Sequence, residues 1–111
     1  MTVGIQQIIR VVATYYDIRV EDMKSERQDR EASLPRHVAM FLAREMTGYS
    51  YMRIGRPLNR PDHTTVLYAV RRIKHRLARD GNLRKDIDFL RQQIAMPATP
   101  SAAARLMEAL L

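Results

Sequence analysis

Four consecutive residues carry side chains that can hydrogen-bond to DNA bases: Asp62, His63, Thr64 and Thr65. A carboxylate accepts from an exocyclic amino group of cytosine or adenine, and a threonine methyl group packs on the thymine C5-methyl group. Arg71 and Arg72 follow on the same stretch, and arginine commonly contacts phosphate oxygens. This pattern favours nucleic-acid contact, although a capped surface helix with a solvated basic side is an alternative.

A helix must present these residues, and the local sequence predicts where it begins. Asp62 is a good N-cap residue because its carboxylate can accept from unpaired N–H groups of the first turn. Pro61 prevents an earlier helix from running through this point. Apolar residues then recur in steps of one, three and four along one face: Val66, Ala69, Val70, Ile73 and Leu77. The opposite, basic face should therefore be exposed.

A short helix is predicted immediately upstream. Ser50 can cap it, Ile54 and Leu58 would face inward with Tyr51, and Arg53 and Arg56 would face outward. Residues 50–77 then follow the order of a helix-turn-helix, with the turn near residues 59–61. The same order also fits a plain helical hairpin.

Helical spacing elsewhere predicts an all-α chain. We expect helices over residues 4–16, from Ser33 or Pro35 to Thr47, and over residues 83–95, with a short helical turn at 20–25. Residues 24–33 should form an exposed loop, and Gly81-Asn82 should end the long basic helix. Tyr15 and Tyr16 are predicted to join the core. The predicted domain spans residues 1–95, followed within 96–111 by a Pro-containing linker and a short apolar terminal helix.

The net charge of +7 is concentrated in the middle of the chain. Residues 35–76 carry nine basic and two acidic side chains, whereas residues 1–34 have a net charge of −1 and residues 77–111 of +1. Such segregation favours a polyanionic partner. Net charge alone does not distinguish DNA from RNA or an acidic lipid.

The amino-acid composition excludes several classes of function. The chain has no Cys, which excludes thiolate catalysis and Cys-ligated zinc and permits a reducing cytoplasm. No apolar run approaches a membrane span and the N-terminus does not resemble a signal peptide, so we expect a cytoplasmic protein without membrane contact. The histidines lack partners at ligand spacing, and no nucleophile and base are paired. We predict no catalytic residue, metal site or cofactor.

Several short sequence segments together resemble a known family. They are Ala13-Thr14-Tyr15-Tyr16, Pro35-Arg36-His37-Val38-Ala39-Met40, Leu42-Ala43-Arg44-Glu45-Met46-Thr47, and Asp62-His63-Thr64-Thr65-Val66-Leu67-Tyr68-Ala69 with Arg71-Arg72-Ile73. In this order and spacing, from about Ile5 to Leu77, the chain resembles the C-terminal DNA-binding domain of the bacterial replication initiator DnaA.

The resemblance implies a role for each matching residue. Asp62, His63, Thr64 and Thr65 would read the initiator's recognition box from the major groove. Arg36 would reach the adjacent minor groove, where a narrow groove's negative potential favours arginine. Arg44 and the helix start at Ser50, Tyr51 and Met52 would hold phosphates. Arg60, Arg71 and Arg72 complete the predicted phosphate contacts, and Arg36 and Arg44 are expected at exposed or half-exposed positions.

The chain also departs from the family. Leu34 replaces an arginine beside the Pro-Arg pair, Asn59-Arg60-Pro61 replaces a Gly-Gly-Arg turn, and the loop at residues 24–33 is more acidic. DNA binding is implied, but an identical box preference is not. There is no Gly-x-x-x-x-Gly-Lys-Ser/Thr loop, so the chain resembles the DNA-reading domain standing by itself, without ATP-dependent assembly.

We therefore predict sequence-specific binding of double-stranded DNA at a DnaA-box-like site. The expected role is replication-origin control or transcriptional regulation, with a nucleoid-associated location. An alternative is a protein-interaction module that docks on or competes with the replication initiator through the helix containing Ile87 and Ile94. The apolar tail of residues 97–111 could mediate self-association or contact replication-initiation proteins.

Overall fold

The computed structural model describes residues 3–95, and within them the chain forms helices joined by short connections and has no strand. The helices are α1 (Ile5–Tyr15), α2 (Val20–Lys24), α3 (Arg30–Thr47), α4 (Tyr51–Gly55), a single 3-10 turn (Arg56–Leu58), α5 (His63–Leu77) and α6 (Gly81–Ala95). The predicted all-α fold is confirmed. The linker and terminal helix predicted for residues 96–111 lie outside the described residues.

Helix α3 is the centre of the fold, because α1, α2, α4, α5 and α6 all pack against it. Its alanines, Ala32, Ala39 and Ala43, are buried, and small side chains let neighbouring helices approach closely. The apolar faces predicted from helical spacing contribute the core: Ile8, Ile9 and Val12 from α1, Ile54 and Leu58 around α4, and Val66, Ala69 and Ile73 from α5. The basic face of α5 is consequently directed away from the core.

Helix α3 begins at Arg30, upstream of the predicted start at Ser33 or Pro35. Asp29 takes the N-cap position, and Ala32, in the predicted loop, is fully buried. Pro35 therefore lies in the second turn, where it removes one helical hydrogen bond. Burial of Ala32 and Pro35 offsets that loss, so the prediction that residues 24–33 form a loop is wrong for its last part.

The connection between α5 and α6 also differs from the prediction. Helix α5 ends at Leu77, and Gly81 is the first residue of α6 rather than the end of α5. Asp80 explains this start: its Oδ1 accepts from the Leu83 backbone N–H at 3.0 Å, and its Oδ2 accepts from Arg76 Nη2 at 3.0 Å. These contacts, the Leu83 N–H foremost, lower the pKa of Asp80 below its ordinary value. One carboxylate thus caps α6 and ties it to the last turn of α5.

A second ion pair fixes α6 on α3. Arg91 donates from Nε and Nη2 to the two carboxylate oxygens of Glu45 at 2.8 and 2.6 Å, and from Nη1 to Asp88 at 2.9 Å. The apolar side of α6, with Ile87, Leu90 and Ile94, is buried in the same core. No helix within residues 3–95 is both long enough and apolar enough to cross a membrane.

His37 gives the fold a pH dependence. Burial, together with the nearby Arg36 charge, lowers the pKa of His37 to about 4. The unfolded chain therefore binds a proton between pH 6.5 and 4 that the folded chain does not, and stability falls as pH drops through this interval. We expect the free energy of unfolding to decrease by about 1 kcal/mol from pH 7 to pH 5, less than the full shift because the ring is only partly buried. Urea denaturation of the parent and of His37→Gln, whose loss should be smaller, measures it.

Candidate nucleic-acid interface

The first turn of α5 presents the predicted base-reading residues together. Asp62 is the N-cap, and its Oδ1 accepts from the Thr64 backbone N–H at 2.9 Å, as the sequence predicted. Asp62, His63, Thr64 and Thr65 are all exposed. Within residues 3–95 no donor contacts Asp62 Oδ2 at hydrogen-bonding distance, so only one carboxylate oxygen is used in capping the helix. The His63 Nδ1 atom lies 3.9 Å from Asp62 Oδ1.

The outer face of α5 continues this surface as a shallow groove. Its lining residues are Thr64, Leu67, Tyr68, Arg71, Arg72 and His75. Tyr68 is 58% exposed, and its hydroxyl oxygen accepts from Arg72 Nη1 at 3.0 Å. Tyr68 was not among the predicted site residues. Its spacing of four from Arg72 on a helix was the signal, since residues i and i+4 are neighbours on one face.

Two arginines near the start of α4 are held against tyrosine rings, Arg44 from the last turn of α3 and Arg53 from α4. Ser50 caps the helix by accepting from the Arg53 N–H at 3.2 Å. The guanidinium of Arg53 lies 3.6 Å from the ring centre of Tyr49, and that of Arg44 lies 4.5 Å from Tyr51. Such contacts are worth about 0.5–1 kcal/mol at exposed sites and limit the orientations available to the cations.

The rest of that helix start is only partly presented to solvent. Arg44 also donates from Nη1 to the Tyr49 carbonyl at 2.7 Å, so part of its guanidinium is already hydrogen-bonded within the chain. Met52 is 46% exposed, whereas Tyr51 is half-buried. Ser50, Tyr51, Met52 and Arg44 stay predictions as phosphate contacts.

Arg36 is buried, and the expectation that it is exposed or half-exposed is wrong. Its residue exposure is 3%, its Nε donates to the Met23 carbonyl at 2.7 Å, and its Nη2 donates to the carbonyls of Ser25 and Arg27 at 3.2 and 3.0 Å. Burial and the neighbouring Arg60 charge lower the pKa of Arg36 to about 10, which leaves it charged at neutral pH. Its Nε and Nη2 donors are thus directed to carbonyls of the chain itself.

Arg60 shares the Ser25 carbonyl with Arg36 and contacts two further carbonyls. It donates from Nη2 to Ser25 at 2.6 Å, and from Nη1 to Leu58 at 2.9 Å and to Lys24 at 3.3 Å. Asn59 adds an Nδ2 hydrogen bond to the Lys24 carbonyl at 3.1 Å. Asn59 has a φ of 56°, a left-handed conformation that Asn tolerates better than most residues. These contacts join the loop before α3 to the turn before α5.

The surface formed by α4 and α5 is strongly positive. Residues 50–76 contain seven basic side chains and one acidic side chain, Asp62. A concentration of positive charge on one side of a domain attracts a polyanion and raises its association rate. Within the part of the chain that the structure describes, no three His, Asp or Glu side chains come together to hold a metal ion.

Comparisons with known proteins agree with this geometry. The family model described as the bacterial DnaA protein helix-turn-helix matches residues 5–73. A chromosomal replication initiator protein DnaA from Gluconobacter oxydans (strain 621H) is 39% identical over 92 residues, which are 83% of this chain and 19% of that relative. This chain therefore spans about a fifth of the length of that initiator.

Solved structures are also similar. A crystal structure of a DNA replication initiation factor aligns with a TM-score of 0.73 at 34% identity, over 81% of this chain and 27% of the other. The AMPPCP-bound DnaA from Aquifex aeolicus aligns with a TM-score of 0.68 at 33% identity, over 81% of this chain and 26% of the other. The family match, which ends at residue 73, distinguishes the helix-turn-helix from a plain helical hairpin.

Proposed function

The chain belongs to the family of bacterial DnaA helix-turn-helix domains, and on this premise we propose that it binds double-stranded DNA at a DnaA-box-like site. One observation carries the proposal. The N-terminal turn of α5 exposes a carboxylate, an imidazole and two hydroxyls at the end of a helix whose outer face is basic. A recognition helix enters the major groove with such N-terminal residues toward base edges.

Each base-reading residue has a distinct task in this proposal. The Oδ2 atom of Asp62 accepts from the amino group of cytosine or adenine, since Oδ1 already accepts from Thr64 N–H. The methyl groups of Thr64 and Thr65 pack on thymine, and their hydroxyls serve either as donors or as acceptors. His63, exposed beside Asp62, supplies a ring N–H or a ring nitrogen acceptor.

Phosphate contacts surround this turn. Arg71 and Arg72 are exposed on α5, and the Tyr68 hydroxyl holds the Arg72 guanidinium in one orientation. The start of α4, with Ser50 and Met52, and the partly used Arg44 contact the neighbouring strand of the duplex. Arg36 and Arg60 are instead assigned to holding the turn, because their donors are taken by backbone carbonyls.

The biological setting follows from the family. We propose that the chain acts at the nucleoid in the cytoplasm, in replication-origin control or in transcriptional regulation. The rival function, a module that docks on replication-initiation proteins through α6, is less well supported. Ile87, Leu90 and Ile94 are at most 1% exposed and pack within this chain, so these three side chains are not available to a partner.

Fluorescence anisotropy tests the specificity. The purified chain should bind a duplex containing the DnaA recognition box more tightly than a scrambled duplex of the same composition. His63→Ala or Thr64→Ala should cost about 1–3 kcal/mol, or about 5-fold to 150-fold, on the box duplex only. Equal affinities for the two duplexes at every salt concentration would defeat the proposal.

Arg72→Ala should behave differently from the base-reading variants. Because a phosphate contact carries no sequence information, affinity should fall by a similar factor on both duplexes. The slope of log affinity against log salt should also flatten by about one. Lys85→Ala, which removes an exposed cation from α6, is the matched control and should leave both quantities unchanged. A loss confined to the box duplex would contradict the phosphate role of Arg72.

A further inference from the structure

A second exposed surface lies between α1 and α6, away from the first turn of α5. An apolar groove there is lined by Val11 and Tyr15 of α1 and by Phe89 and Leu90 of α6, with polar residues beside them. Tyr15 is 39% exposed and Phe89 is 47% exposed. Their ring centres are 5.4 Å apart, and the Tyr15 hydroxyl donates to Asp86, which fixes the ring. The groove is thus formed and uncovered within residues 3–95.

We propose that this groove is the docking site of the chain's own C-terminal tail, residues 101–111. Gln93 lines the groove, and α6 ends at Ala95, so the tail leaves the described part of the chain beside the groove. Residues 96–100 can span up to about 17 Å, which is enough to reverse direction and return along α6. Two prolines in this segment prevent α6 from simply continuing.

The composition of the tail matches the groove. Ala103, Leu106, Met107, Leu110 and Leu111 recur at alternating steps of three and one, which is the spacing of an apolar helical face. An isolated helix of this length is marginal in water, so an apolar partner surface is needed to hold it. Arg10 lines the groove and can pair with Glu108, the one acidic residue of the tail, whose one basic residue is Arg105.

Tethering decides between this tail and that of a second molecule. A segment joined by a short linker meets its site at an effective concentration of about 1 mM. At micromolar protein the tethered tail therefore outcompetes another copy. Helix α6 and the tail then form a hairpin that covers Phe89 and Tyr15, leaving the α4 and α5 surface free.

A spin-label experiment on the full chain tests this docking. The sequence contains no Cys, so Ala109→Cys provides a unique site for a nitroxide. In the ¹⁵N-labelled, spin-labelled chain, amides of Thr14, Phe89 and Gln93 should lose most of their peak intensity, and amides of α4 should keep theirs. In a mixture of ¹⁵N-labelled chain without a nitroxide and spin-labelled chain at natural isotope abundance, the same amides should keep their intensity.

Matched variants separate docking from a general effect. Phe89→Gln should restore the intensities at Thr14 and Gln93, while Met52→Gln, which changes a side chain of nearly equal exposure on α4, should not. Loss of intensity only in the mixture would show docking between two copies, and full intensity at the groove in both samples would show an undocked tail. Either result overturns the proposal, as does an unchanged loss in Phe89→Gln.

Discussion

Replacing Arg36 with Met is expected to lower the free energy of unfolding by about 3 kcal/mol. The guanidinium donates to the carbonyls of Met23, Ser25 and Arg27, and each hydrogen bond from a charged donor is worth about 1.5–3 kcal/mol. Met fills a similar volume but has no donor, so the Met23 carbonyl would lose its partner at a fully buried residue. The expected loss of unfolding free energy is smaller than the sum of the three hydrogen-bond contributions, because the Ser25 carbonyl keeps its hydrogen bond from Arg60.

Urea denaturation followed by circular dichroism measures this loss. Arg71→Met removes an exposed arginine on α5 and should change the free energy of unfolding by no more than about 0.5 kcal/mol. Arg36→Lys should fall between the two variants, since one ammonium group cannot reproduce a planar fork that reaches three carbonyls.

The same variants distinguish the two roles considered for Arg36. A minor-groove contact would give a variant of parental stability with weaker binding to the box duplex. The structural role requires the opposite, a less stable domain whose folded fraction still prefers the box duplex over the scrambled one. Parental stability in Arg36→Met would contradict the burial of this side chain.

The elements that the sequence predicted correctly depend on local signals. Helical spacing located the apolar faces of α1, α3, α5 and α6, and side-chain caps located the starts of α4 at Ser50 and α5 at Asp62. A cap acts within one turn of its own helix, so its effect can be read from a few neighbouring residues. The exposure of His63 and Thr64 follows from the same signals, because a capped amphipathic helix can bury only one face.

The residues that the sequence placed wrongly depend on distant parts of the chain. Arg36 is buried because α2 and the loop after it, 9 to 13 residues earlier, supply three carbonyls, and neither its charge nor its spacing predicts such partners. Tyr15 was expected in the core, yet its contacts are Tyr16, Asp86 and Phe89, the last two on a helix 71 or more residues away. Gly81 ended no helix because Asp80 capped the next one.

Gly55→Ala is the second substitution with a large expected effect. A Cβ atom on Gly55 would lie 1.8 Å from the Arg60 carbonyl oxygen and 2.8 Å from Val66 Cγ2. The Arg60 N–H donates to the Gly55 carbonyl at 2.8 Å, so the two backbone segments are in direct contact. The atom nearest to the new Cβ therefore belongs to the backbone and not to the end of a flexible side chain. Overpacking of this kind usually costs 1–3 kcal/mol, and we expect about 3 kcal/mol because backbone must move.

The displaced segment leads into α5, the helix that we propose to enter the major groove, so DNA binding should suffer beyond the loss of stability. Moving Arg60 shifts Asp62 and the first turn of α5 relative to α4, and base contacts require both helices in register. We expect the preference for the box duplex over the scrambled duplex to fall at least tenfold, or about 1.4 kcal/mol, under conditions where circular dichroism shows a folded variant.

The other glycines provide graded controls for Gly55. Gly81→Ala meets no atom within 4 Å and lies in a helix, so it should be neutral or stabilising by up to about 1 kcal/mol. Gly48 also meets no atom but has a φ of 68°, and its Ala variant should lose about 1 kcal/mol from backbone strain alone. Only at Gly55 would a Cβ clash with the turn before α5, so only the Gly55→Ala variant should lose its preference for the box duplex. A Gly55→Ala protein with parental stability and preference would show that the turn before α5 can shift freely, and the Arg60 contacts would then not position the reading helix.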